Sequence, residues 1–256
     1  MGGLSRIRRP GQAVTSGAAG LLGDLVGRGP VLAVVAHPDD ESFGLGAVIA
    51  ELIARGGDVR VLCLTQGEAS TLGATADLAA VRLWELTGAA DRLGVSEVVL
   101  HDFSDGGLGA VATTVVDEVV EGNVRDAVTL LAFESGGVTG HPDHRAASAS
   151  ALRVADRHRL AVLEWGIAPD VAARLNAEFA TAFVALDGDG TLDVEVDRAV
   201  QLAAIACHRS QADDNPILAR RLELQGSVDR IRLRPPSRGA AQRPTGSRGA
   251  GNGSGV

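Results

Sequence analysis

Two short strings concentrate the residues able to do chemistry in this chain, His37-Pro38-Asp39-Asp40-Glu41 and His141-Pro142-Asp143-His144. Between them they offer imidazole nitrogens and carboxylate oxygens, the donors of catalytic zinc sites, which use three protein ligands and keep a fourth position open for water. His37, Asp40 and His144 meet that count. A divalent ion brings the pKa of its water near neutrality, but a base must still take the proton and an acid must still serve the leaving group. Asp39 and His141 are the groups left for those tasks. A His/His/Asp set also suits iron or cobalt.

The elements around each string are those that would aim it. Residues 31–36 form a continuous apolar run rich in β-branched side chains, and in 44–55 Val48, Ile49, Leu52 and Ile53 recur at helical spacing. The first string therefore reads as the loop between a strand and a helix. In open α/β sheets that places it where ligands bind, beyond the carboxyl ends of the strands. The second string follows a strand candidate at 127–133 and a Gly-rich loop at 134–140, and it leads into a helix candidate at 145–156. Pro142 suits a first helical turn, and His141 and His144, three apart, then face the same way.

These motifs resemble those of the LmbE-like family, which includes the de-N-acetylase of N-acetylglucosaminyl-phosphatidylinositol (PIG-L) and deacetylases of bacterial thiol biosynthesis. Ala36 to Glu41 and Gly140 to His144 carry the resemblance. Thr65-Gln66-Gly67-Glu68, Arg82 with Glu85, Asp105-Gly106-Gly107 and His208-Arg209-Ser210-Gln211 support it in family order. The resemblance implies one Zn2+ per chain on His37, Asp40 and His144, with Asp39 as general base. It implies that His141 stabilises the tetrahedral intermediate and protonates the leaving amine. Arg82 and Asp105 would then contact sugar hydroxyls, and Glu68 would stand in the pocket wall. The implied fold is a Rossmann-like three-layer α/β sandwich.

Each residue also has a purely structural reading. Asp39 or Asp40 could accept hydrogen bonds from the first amides of the following helix. Asp143 could cap its own helix or orient a metal ligand from behind. Arg82 could lie on a solvated face of the helix 77–93, paired to Glu85 at i,i+3. Asp105 could be a turn residue. His208, near the end of the helical stretch 197–207, could serve the helix dipole. His101 and His158 have no motif around them.

Composition removes rival chemistries. All 24 basic residues are arginine, and there is no tyrosine. A P-loop lysine, a pyridoxal phosphate Schiff base and the Tyr/Lys pair of short-chain dehydrogenases are therefore excluded. Gly44-Leu45-Gly46 is followed by Ile49 where a dinucleotide fingerprint needs a third small residue. A net charge of -8 and few aromatics argue against nucleic-acid binding. Cys63 and Cys207 do not form a disulfide framework.

Strand candidates recur at 31–36, 59–65, 97–102, 127–133 and 161–165 with helical stretches between them, the alternation of parallel βαβ units. Two further candidates, 182–186 and 192–195, flank Asp187-Gly188-Asp189-Gly190-Thr191 and read as an antiparallel hairpin ending the mostly parallel sheet. One domain is expected at 29–233, with an N-terminal extension at 1–28 and a disordered tail at 234–256. The arginines of 220–238 read as a solvated helix face and tail. Arg6, Arg8 and Arg9 resemble a signal-peptide start, but the stretch after them lacks a continuous apolar core. A cytoplasmic location is expected, without stable membrane insertion; a homo-oligomer is compatible with the sequence.

The function these readings point to is a zinc-dependent hydrolase that removes an acetyl or other acyl group from the amine of an amino-sugar small molecule. The missing tyrosine argues against a mycothiol precursor, because the thiol-biosynthetic deacetylases are thought to use one near the site. Two alternatives stand beside this reading: an amidase acting on thiol conjugates with the same metal apparatus, and a non-catalytic sugar- or nucleotide-binding α/β protein.

Overall fold

A computed structural model describes residues 17–237. Its centre is a seven-stranded sheet in the order β3-β2-β1-β4-β5-β7-β6. The strands are β1 (Val31–Val35), β2 (Val59–Thr65), β3 (Glu97–Phe103), β4 (Thr129–Phe133), β5 (Ala161–Gly166), β6 (Thr191–Glu195) and β7 (Val228–Arg234). The first five are parallel, β7 runs antiparallel to β5, and β6 runs antiparallel to β7.

Alternation along β1 explains the layering. Val31, Ala33 and Val35 enter one core cluster while Leu32, Val34 and Ala36 enter the other. A strand buried on both faces needs helices on both, which is why these segments read as unbroken apolar runs. One face is covered by α1 (Ala18–Arg28), α3 (Gly46–Ala54), α4 (Leu78–Leu93) and α7 (Pro169–Phe179). The other is covered by α5 (Thr113–Val124) and α6 (Pro142–His158). Short α2 (Asp40–Phe43), then α8 (Ala199–Ile205), α9 (Arg209–Ala212) and α10 (Pro216–Gln225) complete the chain. No helix among the described residues is long and apolar enough to cross a membrane.

The antiparallel end of the sheet exists, but different strands make it. Residues 182–186 do not form a strand: the Asn176 side chain takes the backbone N–H and C=O of Phe183, leaving only an isolated bridge between Ile167 and Ala185. The partner of β6 is β7, drawn from the arginine-rich segment expected to be helix and tail. Its alternation places Ile231 fully in the core and Arg230, Arg232 and Arg234 beside Asp193 and Glu164. Residues 18–28, expected to lie outside the domain, form α1, whose Leu22 and Leu25 are wholly buried. The three N-terminal arginines and most of the expected tail lie outside the described residues.

Strand order reverses between β1 and β4, so the loops after these two strands open a crevice at the carboxyl edge of the sheet. Both histidine–proline strings sit in those loops.

Candidate active site

The loop after β1 is built by its own carboxylates. Asp40 Oδ2 accepts from the amides of Ala36 (3.2 Å) and His37 (2.9 Å), which leaves Oδ1 free to face the crevice. Neither Asp39 nor Asp40 caps the helix that follows, contrary to the structural reading of this string. Asp39 instead sits at φ 130°, ψ -27°, a costly conformation for a residue with a Cβ. What holds it is Glu41, fully buried, whose Oε2 accepts from the Asp39 amide (2.9 Å) while Oε1 accepts from Ser42 (2.6 Å) and pairs with His208 Nε2 (2.6 Å). His208 thus lies in the interior against Glu41 and does not serve a helix dipole.

The loop after β4 is built by Glu134 and glycine. Glu134 accepts from the amides of Gly136 (2.7 Å) and Val138 (2.8 Å) and so folds the loop over the sheet edge. Gly137 has φ 74°, and a Cβ there would meet the His144 Cβ at 2.7 Å. Its carbonyl lies 3.1 Å and the Thr139 hydroxyl 2.9 Å from His144 Nδ1, which makes Nδ1 the protonated nitrogen and turns Nε2 toward the crevice. His141 is the N-cap of α6, its Nδ1 accepting from the Asp143 amide (3.2 Å), and Pro142 follows at the first helical position.

The two loops bring His37 Nδ1, His144 Nε2 and the Asp40 carboxylate together. The nitrogens are 3.0 Å apart, His144 Nε2 is 3.2 Å from Asp40 Oδ1, and His37 Nδ1 is 3.7 Å from Asp40 Oδ2. Ligand bonds of 2.0–2.1 Å in a tetrahedron give donor separations of roughly 3.3 Å, so this set fits a divalent ion. The far nitrogen of His37 supports the fit, since Nε2 lies 3.0 Å from Asp105 and 3.4 Å from Asp143. Carboxylates behind a ligand imidazole are the usual orienting partners. Burial alone would lower the pKa of His37, but Asp105, Asp143 and Asp40 together raise it to about 10, the mark of a cluster that demands a cation. Asp40 is held far below its ordinary value: burial opposes this, and His144 and His37 prevail. His37, His141 and Asp143 form a second candidate triad. It is the poorer one, because the Asp143 oxygens already accept from the amides of Gly106 (2.7 Å) and Gly109 (3.4 Å).

Asp39, Asp105, His141 and Arg82 join these residues around a cavity of about 510 Å³. Arg82 is buried and donates to Gly67 O (2.7 Å), Pro38 O and Asp39 Oδ2 (2.8 Å). The solvated-face reading fails, and Glu85 bonds Ser210 instead. The outer nitrogens of Arg82 hold the Asp39 loop while the side chain lines the cavity. Gly67 makes this approach feasible, as a Cβ there would collide with Arg82 Nη1. Asp105 is likewise committed, with Oδ1 on His37 and Oδ2 on the Ala69 amide (3.1 Å). Glu68 is exposed, receives the Asp105 amide (2.9 Å), and does not line the cavity. Burial raises Asp39 to about 6 against the opposing pull of Arg82. His141 is held below its ordinary value by burial and by neighbouring His37 and His144.

Sequence reasoning missed Glu41 and Glu134 as organisers, and the aromatic wall of Phe43, Phe133 and Trp165. Glu134 carried a usable signal, standing directly after a strand that ends at the crevice. The aromatics carried none, because each reads as ordinary core.

An open, mostly parallel α/β sheet carries a two-histidine, one-carboxylate cluster at its topological switch point, a place where ligands bind and a donor set that suits a divalent ion. The PIG-L family, described as GlcNAc-PI de-N-acetylase, matches residues 32–155 of this chain. A 1D-myo-inositol 2-acetamido-2-deoxy-alpha-D-glucopyranoside deacetylase of Mycolicibacterium vanbaalenii is 26% identical over 73% of this chain and 82% of its own length. A probable N-acetylglucosaminyl-phosphatidylinositol de-N-acetylase of Schizosaccharomyces pombe is 33% identical over 48% of this chain and 51% of its own. Among solved structures, the A40926 pseudoaglycone deacetylase Dbv21 superposes with a TM-score of 0.61 at 20% identity, covering 82% of this chain and 99% of that one, and so shares the fold.

Proposed function

We propose that this protein is a zinc-dependent hydrolase that removes an N-acetyl or other N-acyl group from an amino-sugar-containing small molecule. The observation that carries the reading is the convergence of His37, Asp40 and His144 beside Asp39 and His141, neither of which is in that cluster, in a cavity large enough for a sugar. The relatives named above act on N-acetylglucosamine derivatives, which supports an amino-sugar amide as the substrate.

When bound, the ion supplies positive charge that acidifies water and polarises the amide carbonyl. His37, Asp40 and His144 would hold it, with His37 steadied by Asp105 and Asp143, and His144 by Gly137 and Thr139. Asp39 takes the proton from the attacking water; its carboxylate, raised to about 6, has a proton affinity near the working range of a general base. Arg82 and Glu41 fix its position. His141 acts through Nε2, because Nδ1 already accepts from the Asp143 amide. That Nε2–H donates to the developing oxyanion, and the proton Asp39 took from water passes to the departing amine as the C–N bond breaks. Water thus delivers its oxygen to the acyl carbon, and the products are a carboxylate and a free amine.

The test is amine release from a panel of N-acetylglucosamine derivatives, with and without chelator, by protein reconstituted with zinc. Chelator-sensitive release is the expected result. Stoichiometric metal with no amine released from any amide in the panel would contradict it.

A further inference from the structure

The aromatic wall of the cavity ends in a charge that the hydrolytic chemistry does not use. Phe133 packs on His144 (5.2 Å between ring centroids), Trp165 on Phe133 (5.4 Å), and the Arg221 guanidinium lies 5.4 Å from the Trp165 ring, all three side chains lining the cavity. Three arginines are buried among the described residues. Arg60 is paired with Asp126 (2.9 Å) and Arg82 with Asp39 (2.8 Å), but no carboxylate of the described residues lies within ion-pair distance of Arg221. Its partners are the neutral oxygens of Gln225 (2.9 Å) and Phe43 (2.5 Å), two acceptors for a group with five N–H donors. Nearby Asp229 is committed to Arg198 at 2.7 Å. Burial, with the neighbouring Arg198 charge, pulls Arg221 down to about 10 and outweighs the opposing pull of Asp229 and Asp40, neither of which reaches ion-pair distance.

We propose that Arg221 recognises an anion on the substrate, so that the amino sugar cleaved here carries a carboxylate or phosphate that pairs with its guanidinium. Burying an unpaired cation is unfavourable, and a ligand that brings the missing charge recovers that loss. A planar guanidinium over an indole also matches the flat oxygen array of either group. The identity of the substrate rests on the deacylase reading; the presence of an anion site does not.

The experiment uses the zinc-loaded full chain carrying Trp84→Phe, which removes the exposed indole and leaves Trp165 as the only tryptophan to report. Its fluorescence is titrated with N-acetylglucosamine, its 1- and 6-phosphates, and N-acetylmuramic acid. At least one anionic sugar should bind at least tenfold more tightly than the neutral one, and whether it is phosphate or carboxylate identifies the group. That preference should vanish in Arg221→Met and return in part in Arg221→Lys. The ratio of kcat/KM for the anionic over the neutral sugar should fall at least tenfold in Arg221→Met. If Arg221 only braced α10 against the end of α2, both sugars would suffer alike and the ratio would hold, which overturns the proposal. Equal binding of charged and neutral sugars overturns it too, as does a preference that survives Arg221→Met, which would place the anion at the metal. Failure of every sugar to be cleaved would sink the deacylase reading while leaving the binding result to decide the anion site.

Discussion

The loop after β1 and the loop after β4 each deliver histidine to the same cluster, but by different physical means. Residues 37–40 hold two metal-ligand candidates and the proposed base within one tight turn. That density forces Asp39 to φ 130° and calls on buried Glu41 and Arg82 to hold it there. Residues 134–144 carry fewer groups over a longer path, and a carboxylate at the strand end and a positive-φ glycine shape it without straining a ligand. The first loop concentrates chemistry at a cost in backbone energy; the second sets histidine orientation from a rigid helix, α6.

The comparison can be broken from either side. His144→Ala removes a proposed ligand from the second loop and should abolish both stoichiometric metal and activity; retained metal, measured by elemental analysis, would take His144 out of the cluster. Asp39→Asn should lower kcat by about 10²–10⁴-fold, the usual worth of a general base, while metal content stays at wild-type level. Near-wild-type turnover would leave the strained turn without a catalytic purpose. Asp143→Ala removes an orienting partner of His37 and should weaken metal affinity by about 10–100-fold, read by competition with a chelator.

The smallest effect concerns the α6 platform. Asp117 of α5 accepts from Arg153, Arg157 and Ser150 on α6. Burial would raise its carboxyl, yet these donors hold it at about 2 against an ordinary 3.8. A depressed folded-state pKa stabilises the protein above the unfolded value, and that stability is lost as pH falls from about 4 toward 2. Asp117→Asn should therefore cost about 1–2 kcal/mol near neutrality after solvent screening and flatten the acid limb of the stability curve. An unchanged acid limb would remove Asp117 from this role.

How much of this was legible in the sequence follows the range of the interactions. β1, β2, β4 and β5 declared themselves because burial on both faces makes each a largely apolar run, whereas β3, at the sheet edge, is only half-buried. β7 was hidden because Arg230, Arg232 and Arg234 dominate its composition, although Ile231 and Leu233 alternate with them. Residues 182–186 have the composition of a strand, but the Asn176 side chain takes the Phe183 backbone groups a ladder would need. The histidine cluster was legible because both strings announce themselves locally. Supports that cross the fold were not: Arg82 reaches Asp39 from α4, and Glu41 meets His208 only after β2 to β6 have been laid down between them. Local pattern places Arg82 on a helix; it does not say which neighbour that helix will face.

The central claim is that the two loops form one metal-dependent centre. The most direct measurement strips the protein with chelator and returns zinc in substoichiometric steps, following bound metal and amine release from N-acetylglucosamine derivatives in the same samples. The account predicts that both rise together and saturate at about one ion per chain. Amine release that persists in stripped protein, or zinc that binds without stoichiometry, would contradict it.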